Sequence, residues 1–342
     1  MRALVLRGPG QAALEDVPRP VPGDDDLLVR TMAGTICTSD MNDMASNPFN
    51  IPLPVIMGHE GAGIVEAVGK NVTDFRLGDE ITAHPVMPCG NCISCRRGLR
   101  HLCDDMEHLA LTRGGVFAEY FTIRADRARM KPPSLSFPAA TLMEPVCVCL
   151  EAIERANVKP GDNVLVIGDG PFGVITAKLC RAYHPGKLIL SGRHPFRLSM
   201  ADGAVCIRER GDGENLSEIM AATGGEGVDA AILCVGTVQA VETGIAALRS
   251  RGTLSVFSAI EGPAPIDLFK VHVKELNICG SCNDMDYLDK ALALLQDKSL
   301  GLDKIITHQM PLGNWQEAFD LARRGKDSAL KISFVGEDGA GL

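Results

Sequence analysis

The chain has 342 residues, 46% hydrophobic and 23% charged, enough for two domains with buried cores and unlike a disordered composition. Its 34 basic and 43 acidic side chains leave a formal charge of −9 with no dominant Lys/Arg block, so no nucleic-acid surface is expected. No apolar run reaches membrane-spanning length, and Met1 to Leu6 reads as a first strand, not a signal peptide, so the expected location is the cytoplasm.

The first half is rich in Gly and Pro. Short β-like runs at 27–30, 63–68 and 80–83 are separated by turn residues such as Arg76-Leu77-Gly78-Asp79, a texture that predicts an irregular β-barrel-like domain. The character changes near residue 145. A helical stretch over 146–157 leads through Lys159-Pro160-Gly161-Asp162 to an apolar strand at 163–167. Further strands at 187–191, 229–234 and 252–257 alternate with helical patterns, which predicts a doubly wound parallel sheet. After residue 284, two helical segments and a last strand at 330–335 are expected to rejoin the first domain. The α/β chain is therefore expected to divide into residues 1–145 with 285–342, and residues 146–284.

Gly168-Asp169-Gly170-Pro171-Phe172-Gly173 follows the apolar strand and opens a helix. Gly168 suits the tight turn, Gly170 lets backbone approach a pyrophosphate, and Gly173 lets the helix pack on the strand. Strand before and helix after make this a dinucleotide loop, not a bare glycine turn. About 20 residues further on, NAD-binding proteins place an acid for the ribose hydroxyls. Here Gly192 stands at that point, between Ser191 and Arg193, with Arg197 beyond. The arginines can pair with a 2′-phosphate and Ser191 adds a hydroxyl, so NADP(H) is expected over NAD(H). By the same logic Gly192→Asp, added to Arg193→Ala, is expected to swing the preference toward NAD(H).

Twelve cysteines without a secretory signal suggest metal, not disulfides, and four crowd together as Cys89, Cys92, Cys95 and Cys103. That C-x2-C-x2-C-x7-C spacing folds four thiolates around one tetrahedral zinc, a closed and therefore structural site. A second set is spread out: Cys37, His59, Glu60 and Glu144. Singly each has an ordinary reading as a buried cysteine, a core histidine or a surface acid. Together they offer the Cys, His and carboxylate donors of a catalytic zinc with one position open. Asp40 is close enough to Cys37 to act as the acceptor that fixes the imidazole of His59.

Taken together these residues resemble the zinc-containing medium-chain alcohol dehydrogenase superfamily over essentially the whole chain. Gly34-Thr35-Ile36-Cys37-Thr38-Ser39-Asp40 looks like the stretch with the first catalytic ligand, and Gly58-His59-Glu60-Gly61-Ala62-Gly63 like the family's GHE motif. Met143-Glu144-Pro145 resembles the polyol (sorbitol) and threonine dehydrogenase branch, where a glutamate replaces a ligand cysteine. The resemblance implies a GroES-like catalytic domain beside a Rossmann domain. It implies direct zinc binding by Cys37, His59 and Glu60, with Glu144 binding directly or through water. Ser39 is implied as the proton-relaying hydroxyl, although Asn42 stands where histidine is common. Val235, Ser258 and Lys331 are implied cofactor contacts, and 276–281 the edge strand through which dimers or tetramers form.

The expected activity is Lewis-acid-assisted hydride transfer between a secondary alcohol or polyol (or the matching ketone) and NADP(H). The alternatives are a threonine-dehydrogenase-type amino-alcohol oxidoreductase using NAD(H), or a non-catalytic zinc- and cofactor-binding protein. A binding module needs no open metal site, and zinc-free quinone reductases of the same fold lack both constellations. Asn42, Phe49, Phe117 and Glu119 are candidate pocket residues, and the substrate itself stays open.

Overall fold

In the computed structural model, which describes residues 1–48, 50–210, 214–260, 262–325, 328–336 and 341–342, the chain divides into two units. One comprises residues 1–144, 285–298 and 306–342, and the other residues 145–284 and 299–305. Sequence reading assigned 299–305 to the first group instead.

The first unit is organised around strand Asp26–Thr35, whose near-continuous burial follows from having neighbours on each side. It pairs antiparallel with Glu60–Val68, with Tyr120–Arg124 and with Lys331–Val335. Register matters for chemistry here. Thr35 lies opposite Glu60 in one ladder and opposite Ser333 in the other, so Cys37 and Glu60 leave the sheet at the same end. Gly58 makes this possible: its φ is +85° and an added Cβ would lie 2.5 Å from the Phe117 ring. Phe117 packs edge-on against Phe334 and Phe319, with centroids 5.0 and 6.3 Å away. Each such buried ring contributes about 1.5–3 kcal/mol. Strand Ile306–Met310, which pairs parallel with Lys331–Val335, has a polar ITHQM sequence that gave no strand signal.

The second unit holds a six-stranded parallel sheet. Its spatial order is Val205–Arg208, Lys187–Gly192, Asn163–Ile167, Val228–Leu233, Leu248–Val256 and Asn277–Gly280. The strand order reverses between Asn163–Ile167 and Val228–Leu233. Loops leaving the carboxyl ends of such strands form the ligand crevice of doubly wound sheets. Gly168 follows the first of these strands and Val235 the second. Apolar side chains including Leu165, Ile167, Ile189, Leu233 and Leu254 are buried between sheet and helices. Among the described residues no helix is long and apolar enough to cross a membrane.

Candidate active site

Cys37, His59 and Glu60 come together: one donor atom from each lies within 4.8 Å of the others, and all three are buried. Local structure sets this up. Cys37 is the N-cap of helix Thr38–Ser46, and its backbone N–H donates to Asp40 Oδ2 at 2.8 Å. The other oxygen of Asp40 lies 3.4 Å from His59 Nδ1. Burial by itself would lower the His59 pKa, but the Asp40 carboxylate and the Cys37 sulfur outweigh it and raise the value well above its ordinary position. Lys331 Nζ lies 2.8 Å from Oε1 and 2.7 Å from Oε2 of Glu60, and the Thr35 hydroxyl donates to Oε2. Lys331 is itself only 2% exposed. Burial opposes its charge, but Glu60, Cys37 and Glu144 together raise its pKa. Glu144 is buried too, although the close set does not include it. Soft sulfur, imidazole and carboxylate around one point fit a zinc ion with room for a further ligand.

The second cluster is Cys89, Cys92, Cys95 and Cys103, with their sulfurs within 4.8 Å of one another. Backbone N–H groups already point at the sulfurs: Cys92 N–H donates to Cys89 Sγ at 3.4 Å and Cys95 N–H to Cys92 Sγ at 3.4 Å. The amide of Cys95, with that of Asp104, pulls the Cys92 thiol down to about 7, whereas burial pushes Cys95 up to about 12. All twelve cysteines are free. Four convergent sulfurs fit a closed tetrahedral zinc site.

The glycine loop has the shape the spacing required. Gly168 takes φ +112°, Gly170 is the N-cap of helix Pro171–Cys180, and an added Cβ on Gly170 would meet nothing within 4 Å. An added Cβ on Gly173 would lie 1.7 Å from the Gly168 carbonyl oxygen, so only glycine allows the helix this close. Phe172 packs edge-on against Phe257, centroids 5.4 Å apart. Val235 and Ser258, both half-buried, follow Val228–Leu233 and Leu248–Val256. An open glycine cradle at a helix N-terminus fits a dinucleotide pyrophosphate.

Two family models match the chain: the alcohol dehydrogenase GroES-like domain over residues 23–133 and the zinc-binding dehydrogenase over residues 171–297. The sorbitol dehydrogenase of Bacillus subtilis is 30% identical over 339 residues, covering 97% of this chain and 96% of that one. The L-threonine 3-dehydrogenase of Pyrococcus horikoshii is 32% identical over 345 residues, covering 98% of each. The chain belongs to the zinc-containing medium-chain alcohol dehydrogenase superfamily. Within it, the polyol and threonine dehydrogenase branch is the one it joins, and its reaction class is oxidoreduction at CH–OH. A zinc-binding dehydrogenase of Sinorhizobium meliloti, solved with NADP bound, superposes with TM-score 0.92 at 27% identity, covering 98% of this chain and 99% of that one. The 2R,3R-butanediol dehydrogenase of Bacillus subtilis gives TM-score 0.90 at 25% identity, with the same coverage.

Several details of this dehydrogenase depart from sequence expectation. Lys331, expected at the cofactor, has its ammonium on Glu60 and on the Ile36 carbonyl. Phe117 is fully buried core, Asn42 is exposed, Glu119 accepts from the Arg2 backbone N–H, and Phe49 lies outside the described residues. The turn after Lys187–Gly192 differs most. Ser191 is 1% exposed, so its hydroxyl faces inward, and the exposed Arg193 pairs with Glu209 at 2.9 Å. Arg197 is half-buried; burial lowers its pKa while Asp169 opposes that. A carboxylate does stand at the turn, supplied by Asp169 from the glycine loop. An added Cβ at Gly192 would lie 2.4 Å from Asp169 Cβ, so the simple exchange Gly192→Asp does not fit. Also unread in the sequence were His108, whose ring lies 5.7 Å from that of His59, and Asp43 on the Asp40 face of its helix. Burial, then the charge of His59, brings the His108 pKa down to about 3, so this neighbour is neutral. A cavity of about 730 Å³ in the first unit is lined by none of the candidate residues, and its arginines Arg124 and Arg129 are paired with Asp126 and Asp289.

Proposed function

We propose that this dehydrogenase interconverts secondary alcohols or polyols and the matching ketones, with NADP(H) as preferred cofactor. The observation that carries the reading is the buried Cys37, His59 and Glu60 set, backed by Asp40, on a chain that also has the open glycine cradle. Zinc held there would supply Lewis-acid activation of a hydroxyl or carbonyl oxygen, and a bound nicotinamide would supply or accept the hydride. The protein's own part is to hold and orient. Asp40, accepting at Nδ1, fixes the His59 ring and leaves Nε2 as the ligand atom. Lys331 pairs with the buried Glu60 carboxylate and fixes its direction. Ser39, half-buried on the first helical turn, is the hydroxyl placed to relay the substrate proton toward solvent, and the exposed Asn42, which cannot take up a proton, is not part of that route. Glu144 adds a buried carboxylate to the same unit, which would hold zinc directly or through water.

The cofactor preference is supported by the absence of an acid at 192 and by Arg193 and Arg197 beside it. For Arg193 a 2′-phosphate has to displace Glu209, which lowers the gain from that contact. Arg197, half-buried on the helix that follows, is the second cation beside the turn. The test is a reductase screen with NADPH and NADH over ketoses, inososes and simple ketones, followed by kcat/KM for the best substrate. The expected result is turnover with at least about tenfold preference for NADPH, the value of one ordered charge-assisted contact. No turnover with any ketone sinks the proposed substrate class; turnover with NADH preferred sinks only the cofactor assignment.

A further inference from the structure

We propose that Asp169 is a positioning residue for the adenosine end of the cofactor, and that it is the reason residue 192 is glycine. Asp169 is 7% exposed, and its Oδ2 accepts from the backbone N–H of Arg193 at 2.9 Å and of His194 at 2.5 Å. His194 Nδ1 lies 3.1 Å from the same oxygen. Two backbone donors on one carboxylate oxygen, with the His194 ring beside them, fix the turn that leaves Lys187–Gly192 and starts helix Pro195–Ser199. The other end of the turn is tied as well: Gly168 N–H donates to Ser191 O at 2.8 Å and Glu209 N–H to Gly192 O at 2.6 Å. The glycine loop, the turn and the next strand are thus one hydrogen-bonded assembly with Asp169 at its centre.

The same side chain occupies the space of its neighbour. An added Cβ at 192 would lie 2.4 Å from Asp169 Cβ and 2.6 Å from its Cγ, contacts that no rotation of a flexible end relieves. An acid at 192 and an acid at 169 therefore exclude each other. Asp169 brings a carboxylate beside residue 192, but one of its oxygens is spent on the turn. Its role is to hold Arg193 and Arg197 in place for the ligand, not to discriminate through its own charge. This rests on the NADP(H) reading only for the direction of the preference; the coupling between 169 and 192 stands apart from it.

The experiment measures binding alone, by calorimetry of the zinc-loaded protein with ADP-ribose and with 2′-phospho-ADP-ribose, alongside the unfolding midpoint. Asp169→Gly removes the acceptor and is expected to reduce the preference between the two fragments about tenfold, the worth of one hydrogen bond to a charged group. Asp169→Asn keeps an amide oxygen for the two N–H donors and retains part of that preference. Gly192→Ala is expected to lower the midpoint and weaken both fragments, and Asp169→Gly in the same chain to restore the midpoint. Asp169→Gly with Gly192→Asp is expected to favour ADP-ribose. An unchanged fragment ratio in Asp169→Gly, or a neutral Gly192→Ala, overturns the proposal. So does an Asp169→Asn variant that loses ADP-ribose alone, because Asp169 would then be the ribose acid itself. A wild-type preference for ADP-ribose would overturn the NADP(H) reading, while the recovery of Gly192→Ala by Asp169→Gly still decides the role of Asp169.

Discussion

The ion pair between Lys331 and Glu60 joins residues 271 positions apart, with both side chains sealed from water. Removing one partner of such a pair strands a buried charge and costs about 3–5 kcal/mol, whereas replacing both is close to neutral. Lys331→Met is expected to lower stability by that amount in chemical unfolding, and Glu60→Gln in the same chain to recover most of it. A Lys331→Met protein as stable as wild type would show that the pair contributes nothing. Asp43 gives a pH-dependent case. Burial, and then the neighbouring Asp40, push its carboxyl up to about 6, with His59 opposing. An unfolded Asp titrates near 3.9. Between those values only the folded state holds the proton, so stability falls as pH rises through the interval and the cost stands in full above it. Asp43→Asn should therefore raise the unfolding midpoint at neutral pH, and the gain should vanish near pH 4. A gain constant from pH 4 to 8 would assign it to packing instead. Cys37, His59 and Glu60 were legible in the sequence because each sits in a short motif with its own spacing. Asp43 and His108 were not, because nothing local tells a buried carboxylate or a neutral histidine from a solvated one.

Elements whose chemistry is local were read most fully. The strand at 163–167, the glycine loop and the helix beginning at Pro171 follow directly from apolar run, glycine spacing and helix start. The four cysteines likewise sit within fifteen residues and fold back on one another through backbone donors. Two zinc ions per chain are expected on elemental analysis, with a mild chelator removing first the one from the Cys37 site. Cys92→Ala should drop the count to one and lower the unfolding midpoint, because thiolate binding there contributes folding free energy. Cys37→Ala should drop the count equally while leaving the midpoint close to wild type and abolishing turnover. Identical stability losses in both variants would erase the distinction between a structural and a catalytic site. What sequence missed at this scale was tertiary. Strand Ile306–Met310 is polar and held by its parallel partner, and Asp169 reaches the end of a different strand. Its hydrogen bonds to Arg193 and His194 cannot be read from spacing, so the carboxylate at this turn is invisible in the sequence.

At the scale of the whole molecule, two features of the second unit bear on assembly. The six-stranded sheet ends at Asn277–Gly280, whose outer edge has no strand beside it among the described residues. Just before it, helix Leu268–Lys274 turns apolar side chains to solvent: Leu268 is 72% exposed, Phe269 74% and Val273 56%. Phe269 and Val273 are one turn apart and share a face. An open sheet edge next to an apolar helix face is costly to leave in water and invites edge-to-edge pairing. Each chain has a formal charge of −9, so apolar burial at a joining surface has to outweigh the repulsion between two copies. A two-fold arrangement satisfies both features at once, since the same edge and the same helix meet their own copies. Light scattering on a sizing column is therefore expected to give at least twice the mass of one chain, and no less at higher salt, where charge repulsion is screened. Leu268→Asp with Phe269→Asp should yield monomers, and a proline at Ile278 should weaken pairing through the sheet edge alone. A monomeric wild-type protein, or an undiminished mass in the double aspartate variant, would refute this surface as the joint.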